Sequence, residues 1–165
     1  MKWLIKNPAP IGPRLTMWGD YHFTRSLARY LVKHGQEVDT DFDPEWYNDK
    51  QADVVLVLRG KHKYEVPAQK NALHVMWNIS HPEDISIDEY NRYDLVFIAS
   101  MAHTARIQAQ AAVPVQQLLQ CTDTKECYPA SAQEEAQRAG YVFVGNSRDA
   151  ERPGVIWAVE LGFPL

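Results

Sequence analysis

The sequence predicts an α/β fold built on a doubly wound, mostly parallel sheet, and three observations carry that expectation. Short apolar runs recur along the chain: VVLVL, LHVMW, LVFIA, VQQLL and YVFV. They are rich in Val, Leu, Ile and Phe without strict alternation, as strands buried on both faces are. Helical patterns lie between several of these runs, and strands alternating with helices imply right-handed crossovers in one sheet. Each run also ends in a knot of small, polar or charged residues: Arg59-Gly60, Asn78-Ile79-Ser80-His81-Pro82, Ser100, Gln120-Cys121-Thr122-Asp123 and Gly145-Asn146-Ser147-Arg148. Open parallel sheets bind ligands just beyond the carboxyl ends of their strands, so the knots mark where a ligand is expected.

Taken in order, the first strand reads from Lys2 to Asn7 and runs into a loop of prolines and glycine, Pro8-Ala9-Pro10-Ile11-Gly12-Pro13. From about Tyr21 to His34, Phe23, Leu27, Tyr30 and Leu31 share one helical face, and Gly35 is a good helix stop. Further strands are expected at Glu37 to Phe42, Asp53 to Leu58, Ala72 to Trp77, Asp94 to Ala99 and Val113 to Leu119. Helices are expected at Asp84 to Tyr90, capped by Ser86 or Asp84, and at Met101 to Ala112. These elements form a Rossmann-like domain over residues 1–122. Residues 123–139 read as a polar linker with a short helix near Ala132 to Arg138. Residues 140–165 read as a strand at Tyr141 to Val144 and a helix opened by Arg152-Pro153, a carboxy-terminal strand-helix extension whose next strand is expected to have been cut away.

With 165 residues, 45% of them hydrophobic, the chain has enough apolar surface for a good core. Its net charge of −4 gives no general attraction to nucleic acid or an anionic membrane, so neither is an expected partner. No apolar stretch approaches the roughly 18 residues of a membrane span, and the amino-terminal apolar part is too short for a signal peptide, so a cytoplasmic location is expected. The two cysteines, Cys121 and Cys127, lack the paired spacing of a zinc site, and a reducing compartment would leave them as thiols.

The knots differ in chemical content. Gly12 to Gly19 lacks the G-x-G-x-x-G of a dinucleotide fold, which weakens a nicotinamide site despite an acid at Asp39. Trp18-Gly19-Asp20-Tyr21-His22 gathers an acid, a histidine and two aromatics at a helix start; aromatic faces stack on sugars and a carboxylate or imidazole can take a hydroxyl proton. A plain helix-capping role for Asp20 is the competing reading. Asp39-Thr40-Asp41-Phe42-Asp43 fails as a calcium loop because Pro44 and Lys50 stand where Gly and Glu are needed; a D-x-D metal site for a nucleotide sugar is the lesser alternative to acids kept in solvent at a strand end, which is the expectation. No metal site is expected. His81 follows a buried strand beside Pro82, and Gly60 after Arg59 permits close approach of a ligand or another backbone, with Lys61, His62 and Lys63 adding charge. Gly145, Asn146, Ser147 and Arg148 suit a turn that presents N–H groups to a phosphate, with Arg148 and Arg152 able to add charge-assisted bonds.

Read together, Gly19-Asp20-Tyr21-His22, Trp77 to Pro82, the Tyr93 to Ser100 strand, Leu119 to Asp123 and Phe143 to Arg148 resemble, in order and over nearly the whole chain, GT-B glycosyltransferases of the spore-maturation-protein-like group. Such enzymes have two facing Rossmann-like domains, the amino-terminal one for the acceptor and the carboxy-terminal one for the nucleotide-sugar donor. The resemblance implies that this chain is the acceptor-side domain plus the start of the donor-side domain, inactive as a fragment. By the same resemblance, most of the donor half is expected to be missing, including the region of an E-x7-E-like acidic motif and ribose contacts.

By that resemblance Asp20, His22 or His81 is the catalytic base, and Gly19, Tyr21, Arg59, Trp77, Asn78, Ser80 and Ser100 line the acceptor side. Gly145, Asn146, Ser147, Arg148 and Arg152 border the donor diphosphate. No cofactor is implied beyond a nucleoside-diphosphate sugar as substrate, and the acceptor is a carbohydrate, lipid or protein hydroxyl. A stand-alone flavodoxin-like binding module is the alternative, and a nucleotide-dependent oxidoreductase a more distant one. The apolar tail with Trp157, Val159, Leu161, Phe163 and Leu165 predicts docking on the first domain or on another copy of the chain.

Overall fold

A computed structural model of the chain describes residues 1–139 and 151–163. It divides into two compact units, Met1–Asp123 and Thr124–Leu165. The first unit is a six-stranded open sheet made of β1 (Lys2–Pro10), β2 (Glu37–Asp43), β3 (Val54–Arg59), β4 (Leu73–Asn78), β5 (Leu95–Ile98) and β6 (Val115–Gln117). The order is β2-β1-β3-β4-β5-β6, and every neighbouring pair is parallel. The α/β, Rossmann-like parallel sheet expected from the apolar runs is therefore the fold of this unit.

The helices follow from handedness. β1 leads through α1 (Gly19–Lys33) to β2 on one side, whereas β3 to β6 are laid down in the opposite direction, so right-handed crossovers put α1 on one face and the later connections on the other. On the α1 face, Phe23, Leu27 and Leu31 pack over Ile5, Leu56, Leu58, Val75 and Trp77. The opposite core holds Val57, Met76, Tyr90, Tyr93, Val96, Ile98 and Ile107, the last from α3 (Met101–Gln108) and Tyr90 from the one-turn α2 (Ile87–Tyr90). Leu4, Val55 and His74 share one cross-strand row, and Asp41, Lys6, Val57 and Met76 the next row on the same face.

Several boundaries move from where the sequence put them. β1 continues through Pro8 to Pro10, because a register irregularity between Asn7 and Pro10 takes up residues that cannot donate to the ladder. The expected helix from Asp84 to Tyr90 splits into a 3-10 turn, Pro82–Asp84, and α2, whose Ser86 side chain accepts from the Glu89 N–H at 3.2 Å. α3 stops at Gln108 rather than Ala112, and β6 shrinks to three residues after Pro114. The β2–β3 and β3–β4 connections carry no helix; Trp46 and Tyr64 fill part of the space that crossover helices would occupy.

The second unit contains α4 (Ala132–Ala136), started by a capping box between Ser131 and Glu134, and α5 (Pro153–Glu160) with Pro at its first turn. The strand expected at Tyr141 to Val144 lies outside the described residues. Among the described residues no helix is long and apolar enough to cross a membrane.

Candidate functional site

The strand order sets the geometry of the site. The chain turns outward to β2 and back to β3 on either side of β1, which makes the carboxyl ends of β1 and β3 the topological switch point. There a Cβ placed on Gly60 would lie 3.4 Å from Pro8 Cγ and 3.4 Å from Ser80 Oγ, so the ends of β1, β3 and β4 converge. Asn7 pins the start of α1 above them: its Nδ2 donates to the Asp20 carbonyl at 2.8 Å and to Thr24 Oγ1 at 2.6 Å, while its Oδ1 accepts from the Ala9 N–H at 2.7 Å.

Around this point the polar residues divide into an accessible group and a buried group. Gly19 and Asp20 occupy the first turn of α1, whose N-cap is Trp18 with no side-chain cap, so Asp20 stands inside the turn rather than at the cap position. Tyr21 tilts on Phe42 at 6.0 Å and lies edge-on to His22 at 5.2 Å. His22 is exposed, and its Nε2 donates to the Thr16 carbonyl at 2.8 Å, which leaves Nδ1 as the atom able to take a proton. His81 is half-buried and its backbone is left-handed at φ 50°, the one non-glycine with positive φ among the described residues. Its Nδ1 lies 2.9 Å from Ser80 Oγ, and its Nε2 has no hydrogen-bond partner among the described residues.

The buried group is structural in its contacts. Arg59, 2% exposed, donates from Nε to Glu89 Oε1 at 2.6 Å and also reaches the Gly60 carbonyl. Asn78 donates to the carbonyls of Ser80 at 2.7 Å and Arg59 at 3.2 Å. Trp77 lies against the Phe23 ring at 5.2 Å, and its Nε1 donates to the Leu118 carbonyl at 2.8 Å. Ser100 is only half-buried and so stays accessible while it caps α3, accepting from the His103 N–H at 3.4 Å. Arg106 can only donate, so its 2.8 Å contact makes His103 Nδ1 an acceptor and puts the ring proton on Nε2. That proton then points at the Tyr90 hydroxyl 3.1 Å away, which in turn donates to Asn78 Oδ1 at 3.3 Å. The chain of donors runs from α3 to the Ser80 carbonyl and holds the Asn78–His81 turn in place.

Sequence reasoning singled out neither Asn7 nor the Tyr90–His103 relay, because both depend on partners 12 or more residues away. The expectation that the acids of β2 stay in solvent is corrected at Asp41, whose side chain is 3% exposed. Asp41 faces Lys6 across the β1–β2 register, and the Lys6 and Lys50 ammonium groups lie 2.7 and 2.6 Å from its two oxygens. Burial opposes its ionisation, but the bonds from Lys50 and Lys6 prevail and hold the carboxyl below the usual carboxylate range.

Gly145, Asn146, Ser147 and Arg148 lie outside the described residues; Arg152 is exposed at the N-cap of α5. Cys121 and Cys127 are exposed and free. Among the described residues no three His, Cys, Asp or Glu side chains are grouped so as to hold a metal ion. The chain matches no protein-family model, and comparison with curated proteins and with solved structures returns no match.

Proposed function

We propose that the Met1–Asp123 unit is the acceptor-side domain of a glycosyltransferase that moves a sugar from a nucleoside-diphosphate sugar to an acceptor hydroxyl. The observation that supports this most is His81. A non-glycine residue held at positive φ beside a topological switch point is strain kept at a place where ligands bind. With its Nδ1 proton donated to Ser80 Oγ, its Nε2 lone pair is available as a general base for the acceptor hydroxyl. Asp20 and His22 on the neighbouring helix start are the other base candidates, and Gly19, Tyr21, Ser80 and Ser100 are the surfaces an acceptor would meet. Arg59, Trp77 and Asn78 act in this reading as positioning residues, since each is buried at or next to the carboxyl end of its strand. Gly145 to Arg148 and Arg152 are proposed for the donor diphosphate, on the ordered resemblance of their motif alone.

The test uses the gene product in which this chain occurs, offered a panel of uridine- and guanosine-diphosphate sugars. At least one sugar is expected to be bound and hydrolysed or transferred. His81→Asn, which tolerates the left-handed backbone but removes the base, should lower kcat by about 10²- to 10⁴-fold. No binding and no hydrolysis across the panel would overturn the reading.

The strand order favours one alternative, because β2-β1-β3-β4-β5 is the order of flavodoxin-like domains, which bind ligands at the same switch point without needing a second domain. A small molecule held in the crevice without turnover, with affinity unchanged in His81→Asn, would select that binding module instead.

A further inference from the structure

The helix-free crossovers leave a cleft of about 400 Å³ on the sheet face opposite α1, away from the switch point. Its floor is the cross-strand row Leu4, Val55 and His74 together with Lys6. The β2–β3 connection supplies Trp46 and the exposed rim residues Asn48, Lys50 and Gln51, and the β3–β4 connection supplies Tyr64, Gln69 and Asn71.

Two buried polar groups in this cleft are left without protein partners. His74 is 3% exposed, and its Nδ1 lies 3.1 Å from the Ala72 carbonyl, which only accepts, so Nδ1 carries the proton. Nε2 is then an acceptor in the neutral ring and has no hydrogen-bond partner among the described residues. Burial lowers the pKa of His74 and keeps that neutral form at neutral pH. Tyr64 is 6% exposed; its ring is stacked between Tyr47 and His74, and its hydroxyl likewise has no partner among the described residues. Neither group belongs to the fully enclosed unpaired atoms, so both open on the cleft. Lys6 commits two of its three N–H donors, to Asp41 Oδ2 and the Trp46 carbonyl, and lies 5.8 Å from the centre of the Tyr64 ring.

We infer that this cleft binds a small uncharged polyhydroxylated molecule, with His74 Nε2 accepting from one ligand hydroxyl and the Tyr64 hydroxyl pairing with another. A hydroxyl both donates and accepts, and the site offers one obligate acceptor beside a group that does either. A bound anion would place its own lone pairs against that of neutral His74. Both groups open on the cleft, where a ligand hydroxyl can replace water as their hydrogen-bond partner. The volume is in the range of small-ligand pockets, and the amides of Asn48, Gln51, Gln69 and Asn71 extend the same donor-and-acceptor chemistry to the rim. The site is independent of the glycosyltransferase reading.

The ¹⁵N-labelled chain is titrated with myo-inositol, glucose and uridine. At least one probe should bind saturably in the millimolar range and shift the His74 Nε2 resonance and the Trp46 indole N–H. Tyr64→Phe keeps the ring stack, so it should fold as the parent does yet bind about 3- to 10-fold more weakly, the worth of one hydrogen bond. His74→Gln tests the second contact. Three outcomes would each overturn the inference: no shift at His74 with any probe, equal affinity in Tyr64→Phe, or shifts produced by phosphate and not by the neutral probes. Shifts confined to Ser80 and His81 would also overturn it while favouring the switch-point crevice, so the two sites fail separately.

Discussion

Tyr93 is 1% exposed, and its hydroxyl is buried without a hydrogen-bond partner among the described residues. Burial raises the pKa of that phenol far above its ordinary value, so the cost is of a neutral hydroxyl stripped of water rather than of a charge. Replacing it with the ring alone removes the cost and leaves the packing. Tyr93→Phe should stabilise the protein by about 1–2 kcal/mol, read as a higher urea midpoint at unchanged m-value; a lower midpoint would show that the hydroxyl has a partner. The same residue-level accounting separates Asp41 from its neighbours in β2. Nothing in the run Asp39-Thr40-Asp41 distinguishes the acids, yet Asp39 is half exposed and 3.6 Å from Lys2, while Asp41 is enclosed between two lysines. Register alone makes the difference, since Lys6 is the residue opposite Asp41.

Among elements, the link between α3 and the end of β4 has the clearest consequence. The histidines on these two elements, His103 in α3 and His74 in β4, are both held neutral. Burial lowers the pKa of each, reinforced by Arg106 at His103 and by Lys70 and Lys6 at His74, against the opposing pull of Glu83 and of the Ala72 carbonyl and Asp94. An unfolded chain takes up these protons near pH 6.5, before the folded one does. Stability contributed by the neutral rings is therefore complete above about pH 6.5 and is lost as pH falls from there toward the lower folded values. Asp41 and Asp94, both shifted down, contribute stability that is lost only below about pH 4, so the two effects occupy different windows. Denaturant midpoints taken across this range should drop between about pH 6.5 and pH 5, and the slope should be shallower in His103→Gln. A flat profile there would mean that neither ring takes part. The relay explains why Asn78 and Ser100 stand at strand ends, yet the sequence displayed only the knots. Which knot residues turn inward depended on α2 and α3 closing over them.

At the scale of the whole molecule, the sheet order sends the connections that leave β1 and β3 in opposite directions from the point where Pro8, Gly60 and Ser80 meet. The second unit carries a different kind of surface. Trp157 and Val159 are each 61% exposed and Leu161 is 74% exposed on and just after α5, an apolar display that favours association. Light scattering should show mass increasing with concentration, and Trp157→Glu should shift the chain toward monomer. A strict monomer at all concentrations would set aside self-association through this helix.

The sequence by itself determined the α/β class, the parallel strands, α1 with its apolar face and the strand ends where polar residues gather. These rest on local signals: apolar runs, helical spacing, glycine stops and capping residues, which act over a few neighbours. Tertiary structure decided what those residues face. Arg59 and Trp77 read as ligand contacts and lie in the core, because Glu89 and Phe23 reach them only after the crossovers form. The Lys6–Asp41 pair, the left-handed backbone of His81 and the cleft around His74 were likewise out of reach of the linear pattern. Each arises from strand register or from a crossover without a helix, and both are properties of pairing between distant segments rather than of any stretch of sequence.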